Sequence, residues 1–497
     1  MELTPRQTDR AAGVLLAQAC GDALGVPYEF APGHESDPVM KGGGLGPYSP
    51  GEWSDDTQMA LCIVRIAATG ADLESTEALD EIADSFVSWS RTGATDVGTQ
   101  TRRVLDATRP SQDEPLSATM ARHAASLHHR TGRTAGNGAL MRTSVVGLSA
   151  LADREATARR ARAVAELTHA DPLAGDSCVI WSDLVRHAVL TGELDVPRPL
   201  DLLPPHRRDD WAARLDEAVR HPDPARYSAN GFTVVALQAA LAAVEHAHRT
   251  ATGARRLRRG LIEAVGGGHD TDTVAAIAGG LLGALHGASA VPATWRRQVH
   301  GWPGMRGRDL IQLGVSTARG DCDDTRWPGI RTMDYTTQLD AGRPLGVTHP
   351  HDDGVVIGTL ADLGRLDDLG VDAVVSLCRR GVDDVPAPHV APEDHVEVWL
   401  IDSESPEGNA DLDFVLDDAA AAIEELRSEG RRVLVHCVAA QMRAPSVAAR
   451  YSVRRGIPSE VAERDLCAVL PTLRDCDALL WASALQPLTS STREATQ

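Results

Sequence analysis

The sequence lacks the cysteine patterns that mark zinc ribbons and dense disulfide frameworks. Its eight cysteines are scattered along 497 residues, and none of them forms a CxxC pair. Dispersed cysteines of this kind fit a reducing compartment, so the sequence predicts a cytoplasmic protein. The cysteines are Cys20, Cys62, Cys178, Cys322, Cys378, Cys437, Cys467 and Cys476.

Long apolar runs and excess basic charge are also missing. No stretch approaches the ~20 consecutive apolar residues of a membrane span. The N-terminal segment MELTPRQTDRAAGVLLAQACGDALG has only a short apolar run and no basic region before it, so it predicts a first helix and not a signal peptide. The formal net charge of −21 argues against nucleic acid and membranes as partners.

Strand-like runs are few in residues 1–320. Segments such as LDEIADSFVSW, FTVVALQAALAAVEHAHR and TVAAIAGGLLGALHG are rich in Ala and Leu, with apolar residues at helical spacing. Loops that contain Gly and Pro separate these segments. The pattern predicts an all-α domain over residues 1–320.

The pattern changes from about residue 325 onwards. VDAVVSLC and RRVLVHC are short β-branched runs of the kind that form buried parallel strands. The helical segment DFVLDDAAAAIEELRSEG lies between them, and PSVAARYSVRRG follows the second run. This β-α-β-α order predicts an α/β domain over residues 345–490, after a polar, turn-rich linker over residues 321–344. The predicted fold class is therefore multidomain.

Two acidic corners in the first half each precede an apolar helical pattern. Ser54, Asp55 and Asp56 form the first, and Asp270, Asp272 and Thr273 belong to the second. One interpretation is that these residues cap helices, since Ser and Asp suit a helix N-terminus. The other is that the two corners face one another and supply oxygen ligands to Mg²⁺ or Mn²⁺. The residues alone leave both interpretations open.

Other segments of the first half carry further candidate residues. GDALGVPYEF places Asp22 and Glu29 near the end of the first helix, and TDVGTQTRRVL carries Asp96. TAGNGALMR is a loop of small residues that would let the backbone approach a ligand closely. His169 follows the next helical pattern. The loop residues concerned are Gly136, Asn137 and Gly138.

Taken in order, the motifs GDALGVPYE, WSDDTQM, DVG, GNGALMR, TH and HDTDTVAAIAG resemble those of the ADP-ribosylglycohydrolase family over roughly residues 10–310. The family is typified by the enzyme that reactivates dinitrogenase reductase. The resemblance implies an all-α bundle that hydrolyses the bond at C1″ of the distal ribose of ADP-ribose. It also implies two Mg²⁺ or Mn²⁺ ions as cofactors, held by Ser54, Asp55, Asp56, Asp270, Asp272 and Thr273.

The same resemblance implies roles for other residues. Glu29 and Asp96 are the candidate catalytic carboxylates. The groove for ADP-ribose would be lined by Gly136, Asn137, Gly138 and His169. His269 receives no ligand role, because the family tolerates several residues there. The expected partner is an ADP-ribosylated protein or a small ADP-ribose derivative.

A second constellation lies in VLVHCVAAQMRAPSVAARY. A predicted strand ends at His436 and Cys437. A tight loop follows, and Arg443 precedes a predicted helix. Loop amides and the helix N-terminus would hold phosphate oxygens, while Arg443 binds two of them. The same positive field favours the thiolate of Cys437, which could then attack phosphorus.

This half resembles the cysteine-dependent protein phosphatases, and in particular their dual-specificity branch, over roughly residues 345–485. The resemblance implies a phosphorylated substrate and an acid on an upstream loop, for which Asp402 is the candidate and Glu404 the alternative. Two residues depart from the family pattern. Ala440 stands where Gly is usual, and Ala444 replaces the hydroxyl residue that normally stabilises the departing thiolate.

The combined prediction is a metal-dependent ADP-ribosyl hydrolase joined to a phosphatase-like domain. Three alternatives remain: a reader that binds ADP-ribose and phosphate without turnover, a structural protein that reuses the fold, and a hydrolase of another ribosyl compound. The sequence does not choose among arginine, serine, nucleobase and small-molecule linkages, nor does it give the oligomeric state.

Overall fold

The computed structural model describes residues 2–33, 36–337, 343–403, 408–409, 411–471, 473 and 479–487. The chain divides into two units. The first contains Met1–Val291 and Gln298–Asp323, and the second contains Pro292–Arg297 and Asp324–Gln497. The segment Pro292–Arg297 therefore belongs to the second unit, although it precedes the end of the first unit in the sequence.

The first unit is helical, as the sequence predicts, with one two-residue hairpin formed by β1 (His300–Gly301) and β2 (Met305–Arg306). Its helices are α1 (Pro5–Gly25), α2 (Asp55–Ala67), α3 (Thr76–Thr92), α4 (Thr99–Ala107), α5 (Leu116–Thr131), α6 (Arg154–Glu166), α7 (Pro172–Thr191), α8 (Pro205–Arg220), α9 (Thr233–Thr250), α10 (Arg255–Gly266), α11 (Thr271–His286), α12 (Ala293–Gln298, most of which belongs to the second unit) and α13 (Gly307–Arg319).

Helices α1 and α11 form the buried centre of the first unit. Helix α1 begins with a capping box between Thr4 and Gln7. Beyond its first two turns it is buried on all sides, which is typical of a central helix. Small residues let its backbone touch that of α11, because a Cβ atom at Gly21 would collide with the Ala275 carbonyl. The close approach brings the end of α1 to the beginning of α11.

The second unit is an α/β domain built on a five-stranded sheet in the order β3-β4-β7-β5-β6. The β3–β4 pair is antiparallel, and the other pairs are parallel. The strands are β3 (Val347–His349), β4 (Asp352–Gly358), β5 (Ala373–Ser376), β6 (His395–Glu397) and β7 (Val433–His436). Its helices are α14 (Leu366–Leu369), α15 (Leu412–Ser428), α16 (Arg443–Arg454), α17 (Ser459–Val469) and α18 (Leu479–Ala484).

The core of the second unit lies between the sheet and helices α15 and α16. Strands β5 and β7 are buried along their whole length, as the continuous apolar runs predict. Strand β7 lies between β4 and β5, at the centre of the sheet. Its carboxyl end therefore lies in the middle of the edge where the parallel strands end. Among the described residues, we find no helix with the length and hydrophobicity of a membrane span.

Candidate functional site

The two acidic corners predicted from the sequence lie together in the first unit. Helix α1 ends at Gly25, where a Cβ atom would collide with the backbone of Asp272. The Thr271 hydroxyl donates a hydrogen bond to the Gly25 carbonyl at 2.9 Å. This contact joins the segment that carries Glu29 to the beginning of α11.

Carboxylates from three segments converge at this point. Ligand oxygens of Glu29, Asp270 and Asp272 lie within 4.8 Å of one another. The same limit holds for Asp22, Asp56 and Asp272. Asp272 belongs to both groups, so the groups share one side chain and adjoin each other. Such oxygen-only groups suit hard divalent cations.

The N-cap residues of α2 and α11 do not use their own side chains to cap these helices. Ser54 and Asp270 hold the N-cap positions of α2 and α11, but their side chains make no capping hydrogen bond there. The Ser54 hydroxyl instead donates to Asp56 Oδ2 at 3.1 Å. Asp270 Oδ2 accepts from the Asn137 amide at 2.7 Å. Capping of the following helix therefore does not explain Ser54 and Asp270.

A cavity of about 370 Å³ opens beside the carboxylates. Ser54 and Asp56 are buried and are not part of its lining. The other predicted residues of the first unit line the cavity: Glu29, Asp55, Asp96, Gly136, Asn137, Gly138, His169, Asp270, Asp272 and Thr273. The cavity thus places the predicted binding loop and the predicted carboxylates around one space.

Burial and mutual repulsion dominate the electrostatics of the site. Burial, followed by the charges of Asp270 and Asp96, raises the pKa of Glu29 to about 8. Burial and neighbouring carboxylates also raise the pKa of Asp55, Asp56 and Asp272 well above the usual range. Bound protons or a bound cation would relieve this repulsion.

The predicted binding loop packs against His169. Burial, helped by the nearby Arg142 charge, lowers the pKa of His169 to about 3, so its ring is neutral. Its Nδ1 shares a hydrogen bond with the Thr168 hydroxyl at 2.8 Å. A Cβ atom at Gly138 would lie 3.2 Å from the His169 ring, so the small residue leaves room for the imidazole.

Sequence reasoning missed several residues at this site. Phe30 and Gln100 line the cavity. Asn230 donates to the Gly268 carbonyl and accepts from the Asp270 amide, at 3.1 and 3.2 Å, so it fixes the loop before α11. Asp22 belongs to one carboxylate group, although it carried no predicted role. Its place in GDALG was the only signal, whereas Asn230 stands in no motif.

The second unit carries the other predicted constellation at the carboxyl end of β7. Cys437 follows that strand directly and is buried, and α16 begins at Arg443. Between them Ala440 has a φ angle of 50°, in the left-handed region that favours glycine. The unusual alanine therefore stands where the loop demands a backbone conformation that suits glycine.

Arg443 faces the predicted acid. Its Nη1 donates to the Leu377 carbonyl at 2.8 Å, and its Nε lies 3.3 Å from Asp402 Oδ2. The Asp402 side chain remains 58% exposed, so it can reach a molecule in solution. Glu404, the alternative acid, lies outside the described residues.

His436 is a structural support for the Cys437 loop. Its Nε2 shares a hydrogen bond with the Ser376 hydroxyl at 2.6 Å, which ties β7 to β5. Burial, followed by the charge of Arg380, lowers its pKa to about 3, so the ring is neutral. His436 thus fixes the strand end from which Cys437 projects.

Known proteins resemble the two units to different degrees. The crystal structure of human DUSP28 is 22% identical, covers 31% of this chain and 96% of its own, and gives a TM-score of 0.24. A similarity of this size carries no weight on the identity of the second unit.

Two curated relatives match more than half of the chain. ADP-ribosylarginine hydrolase Tri1 of Serratia proteamaculans (strain 568) is 27% identical over 298 residues, which are 58% of this chain and 74% of that protein. ADP-ribosyl-[dinitrogen reductase] glycohydrolase of Rhodospirillum rubrum is 28% identical over 297 residues, 59% of this chain and 90% of that protein. The family model for ADP-ribosylglycohydrolase matches residues 3–323. The chain therefore belongs to the ADP-ribosylglycohydrolase family.

Proposed function

We propose that the first unit is a metal-dependent glycohydrolase that releases ADP-ribose from ADP-ribosylated substrates. The observation that carries this proposal is the convergence of Glu29, Asp270 and Asp272 within 4.8 Å beside the cavity of about 370 Å³. The family and the names of its curated members support the reaction class.

The residues present fit a divalent cation. Asp56 Oδ1 is buried and has no hydrogen-bond partner among the described residues, so an acceptor is left for a ligand. Two Mg²⁺ or Mn²⁺ ions would be held by Ser54, Asp55, Asp56, Asp270, Asp272 and Thr273. When bound, such ions supply Lewis acidity and lower the pKa of a water molecule.

Side chains of the unit account for the remaining chemistry. Cleavage at C1″ leaves positive charge on the ribose, and a nearby carboxylate stabilises it. Asp96 lines the cavity and suits that role. Glu29 lines the same cavity. In its ionised form it would accept the proton of the attacking water. Gly136 and Gly138 leave room for ADP-ribose beside His169.

The proposed substrate is an ADP-ribosylated protein, with arginine as the first linkage to test. One curated relative is named for ADP-ribosylarginine and another for dinitrogen reductase. Serine and nucleobase linkages and small ADP-ribose derivatives are the alternatives. We place this activity in the cytoplasm, since the eight cysteines are dispersed along the sequence and form no CxxC pair.

The test is release of free ADP-ribose from an ADP-ribosylarginine peptide by the full chain. Release is expected with Mg²⁺ or Mn²⁺, and loss of release with a chelator. The variant Asp55→Ala with Asp56→Ala should be inactive, whereas Asp201→Asn, a change outside the cavity, should retain activity. Binding of ADP-ribose without release from any ribosyl linkage would favour a reader over a hydrolase.

We also propose that the second unit binds phosphate monoesters at the Cys437 loop and hydrolyses them. The order of strand, Cys437, loop, Arg443 and helix supports this second function. The Cys437 thiolate would attack phosphorus, the ester P–O bond would break, and Asp402 would protonate the leaving oxygen. Water would then cleave the P–S bond to release phosphate.

The alanine at position 444 shapes the test of this second function. Because no hydroxyl stabilises the departing thiolate there, we expect p-nitrophenyl phosphate to give a burst of one p-nitrophenol per chain, followed by slow turnover. Ala444→Ser should speed the slow phase. If the second unit binds tungstate but gives no burst, it binds phosphate without hydrolysing the ester.

A further inference from the structure

Asp22 is a buried carboxylate near the end of α1 to which the proposed mechanism gives no role. Its Oδ1 accepts a hydrogen bond from the backbone N–H of Ser54 at 2.8 Å. Its Oδ2 accepts one from the backbone N–H of Thr57 at 3.0 Å. Both amides belong to the beginning of α2, the helix that carries Asp55 and Asp56.

These two bonds replace the usual cap of α2. At an ordinary helix N-terminus, the N-cap side chain accepts from the amide two or three residues later. Ser54 holds the N-cap position of α2, and Thr57 is the third residue of the helix. The Ser54 hydroxyl is not used in this way, because it donates to Asp56 Oδ2 at 3.1 Å.

We propose that Asp22 is a positioning residue that caps α2 from α1 and thereby leaves the Ser54 hydroxyl free to serve the carboxylate site. A helix capped by its own serine would hold that hydroxyl against the Thr57 amide. With Asp22 on the Ser54 and Thr57 amides, Ser54 and Asp56 both remain available to a ligand. The inference rests on the proposed function of the first unit.

The main alternative is that Asp22 is itself a cation ligand. It lies in one carboxylate group with Asp56 and Asp272, and its pair of hydrogen bonds leaves lone pairs on both oxygens. The two roles differ in how their loss depends on metal. Removal of a cap loosens the beginning of α2 with or without a cation. If Asp22 serves only as a ligand and its two hydrogen bonds hold α2 weakly, its removal loosens α2 only when the cation is present.

The test is amide hydrogen exchange of the full chain in chelator, measured for Asp22→Ala against the unchanged protein. We expect the Ser54 and Thr57 amides to exchange roughly tenfold faster or more, since each loses a hydrogen bond to a charged acceptor. The same acceleration is expected with Mn²⁺ present. Unchanged or slower exchange in chelator would overturn the proposal.

Two further variants keep the test decisive. Asp22→Asn retains the shape and one acceptor oxygen, so one of the two amides should exchange faster even if Asp22→Ala does not fold. Asp153→Ala removes an ordinary cap at α6, where Asp153 accepts from the Ala156 amide at 2.9 Å. It should accelerate Ala156 and leave Ser54 and Thr57 unchanged. Because exchange in chelator requires no hydrolysis, failure of the proposed reaction would not alter this result.

Discussion

The carboxylate site of the first unit is assembled from segments far apart in the chain, whereas the second unit places Cys437 and Arg443 within residues 437–443. The first site depends on helices α1, α2 and α11 meeting at their ends. The second depends on one loop between a strand and a helix. A dispersed site needs an exact fold around it, while a contiguous loop carries its geometry in its own backbone.

Small residues show the same contrast. At Gly25 the neighbouring backbone of Asp272 leaves no room for a Cβ atom. At Ala440 the chain accepts a side chain on a left-handed residue, with a φ angle of 50°. The fold around the first site leaves no space for a side chain at Gly25, whereas the loop of the second site accommodates a strained alanine.

The largest expected effect comes from a substitution that removes the second activity and leaves the first unchanged. Cys437→Ser should reduce the hydrolysis of p-nitrophenyl phosphate by on the order of 10⁴-fold or more, because the attacking thiolate is lost. Release of ADP-ribose by the same variant should be unchanged. Parallel assays of both activities make the measurement, and a fall in ADP-ribose release would contradict the separation.

The converse change should affect only the first site. Asp272 belongs to both carboxylate groups, so Asp272→Asn should lower ADP-ribose release about 10³-fold, as expected when several kcal/mol of cation assistance are lost. Steady-state kinetics in saturating Mn²⁺ would measure this loss. Activity within tenfold of the unchanged protein would mean that Asp272 does not hold the cation.

Gly25→Ala tests whether the first site depends on the contact between α1 and α11. The added Cβ atom collides with the Asp272 backbone, so we expect a loss of about 1–3 kcal/mol in the free energy of unfolding. Urea denaturation monitored by circular dichroism would report it. Gly231→Ala is the control, because nothing lies within 4 Å of its new Cβ atom. Equal stability of the two variants would argue against the contact.

Ala440→Gly should have the smallest effect and the opposite sign. Glycine relieves the left-handed strain, so the second unit should gain roughly 1 kcal/mol in stability, less the extra entropy that glycine has in the unfolded chain. The unfolding transition of the second unit should move to higher urea. A destabilised variant would show that the alanine methyl packs more favourably than the backbone is strained.

The difference between a dispersed and a contiguous site also explains which residues could be predicted from the sequence. Asp55, Asp56, Asp270 and Asp272 stand in short motifs at helix beginnings, and Cys437 with Arg443 follows a recognisable strand. The bonds from Asp22 to the Ser54 and Thr57 amides join residues more than 30 positions apart, so no local pattern encodes them. The hydrogen bonds of Asn230 depend in the same way on how the helices pack.

In the second unit, too, local patterns could be predicted and long-range contacts could not. The order of its central strands and helices could be read from alternating β-branched and helical segments. The 3.3 Å approach of Asp402 to Arg443 joins residues about 40 positions apart, so local patterns do not specify it. The left-handed backbone conformation of Ala440 could not be predicted from the residue either, since alanine rarely adopts it.

Electron paramagnetic resonance titration of the full chain with Mn²⁺ tests the proposed cation site directly. We expect saturable binding of two ions per chain. Binding should be lost in the combined variant Asp56→Asn with Asp272→Asn and retained in Cys437→Ser. Absence of saturable binding, or equal binding by the carboxylate variant, would contradict a cation site at the junction of α1, α2 and α11.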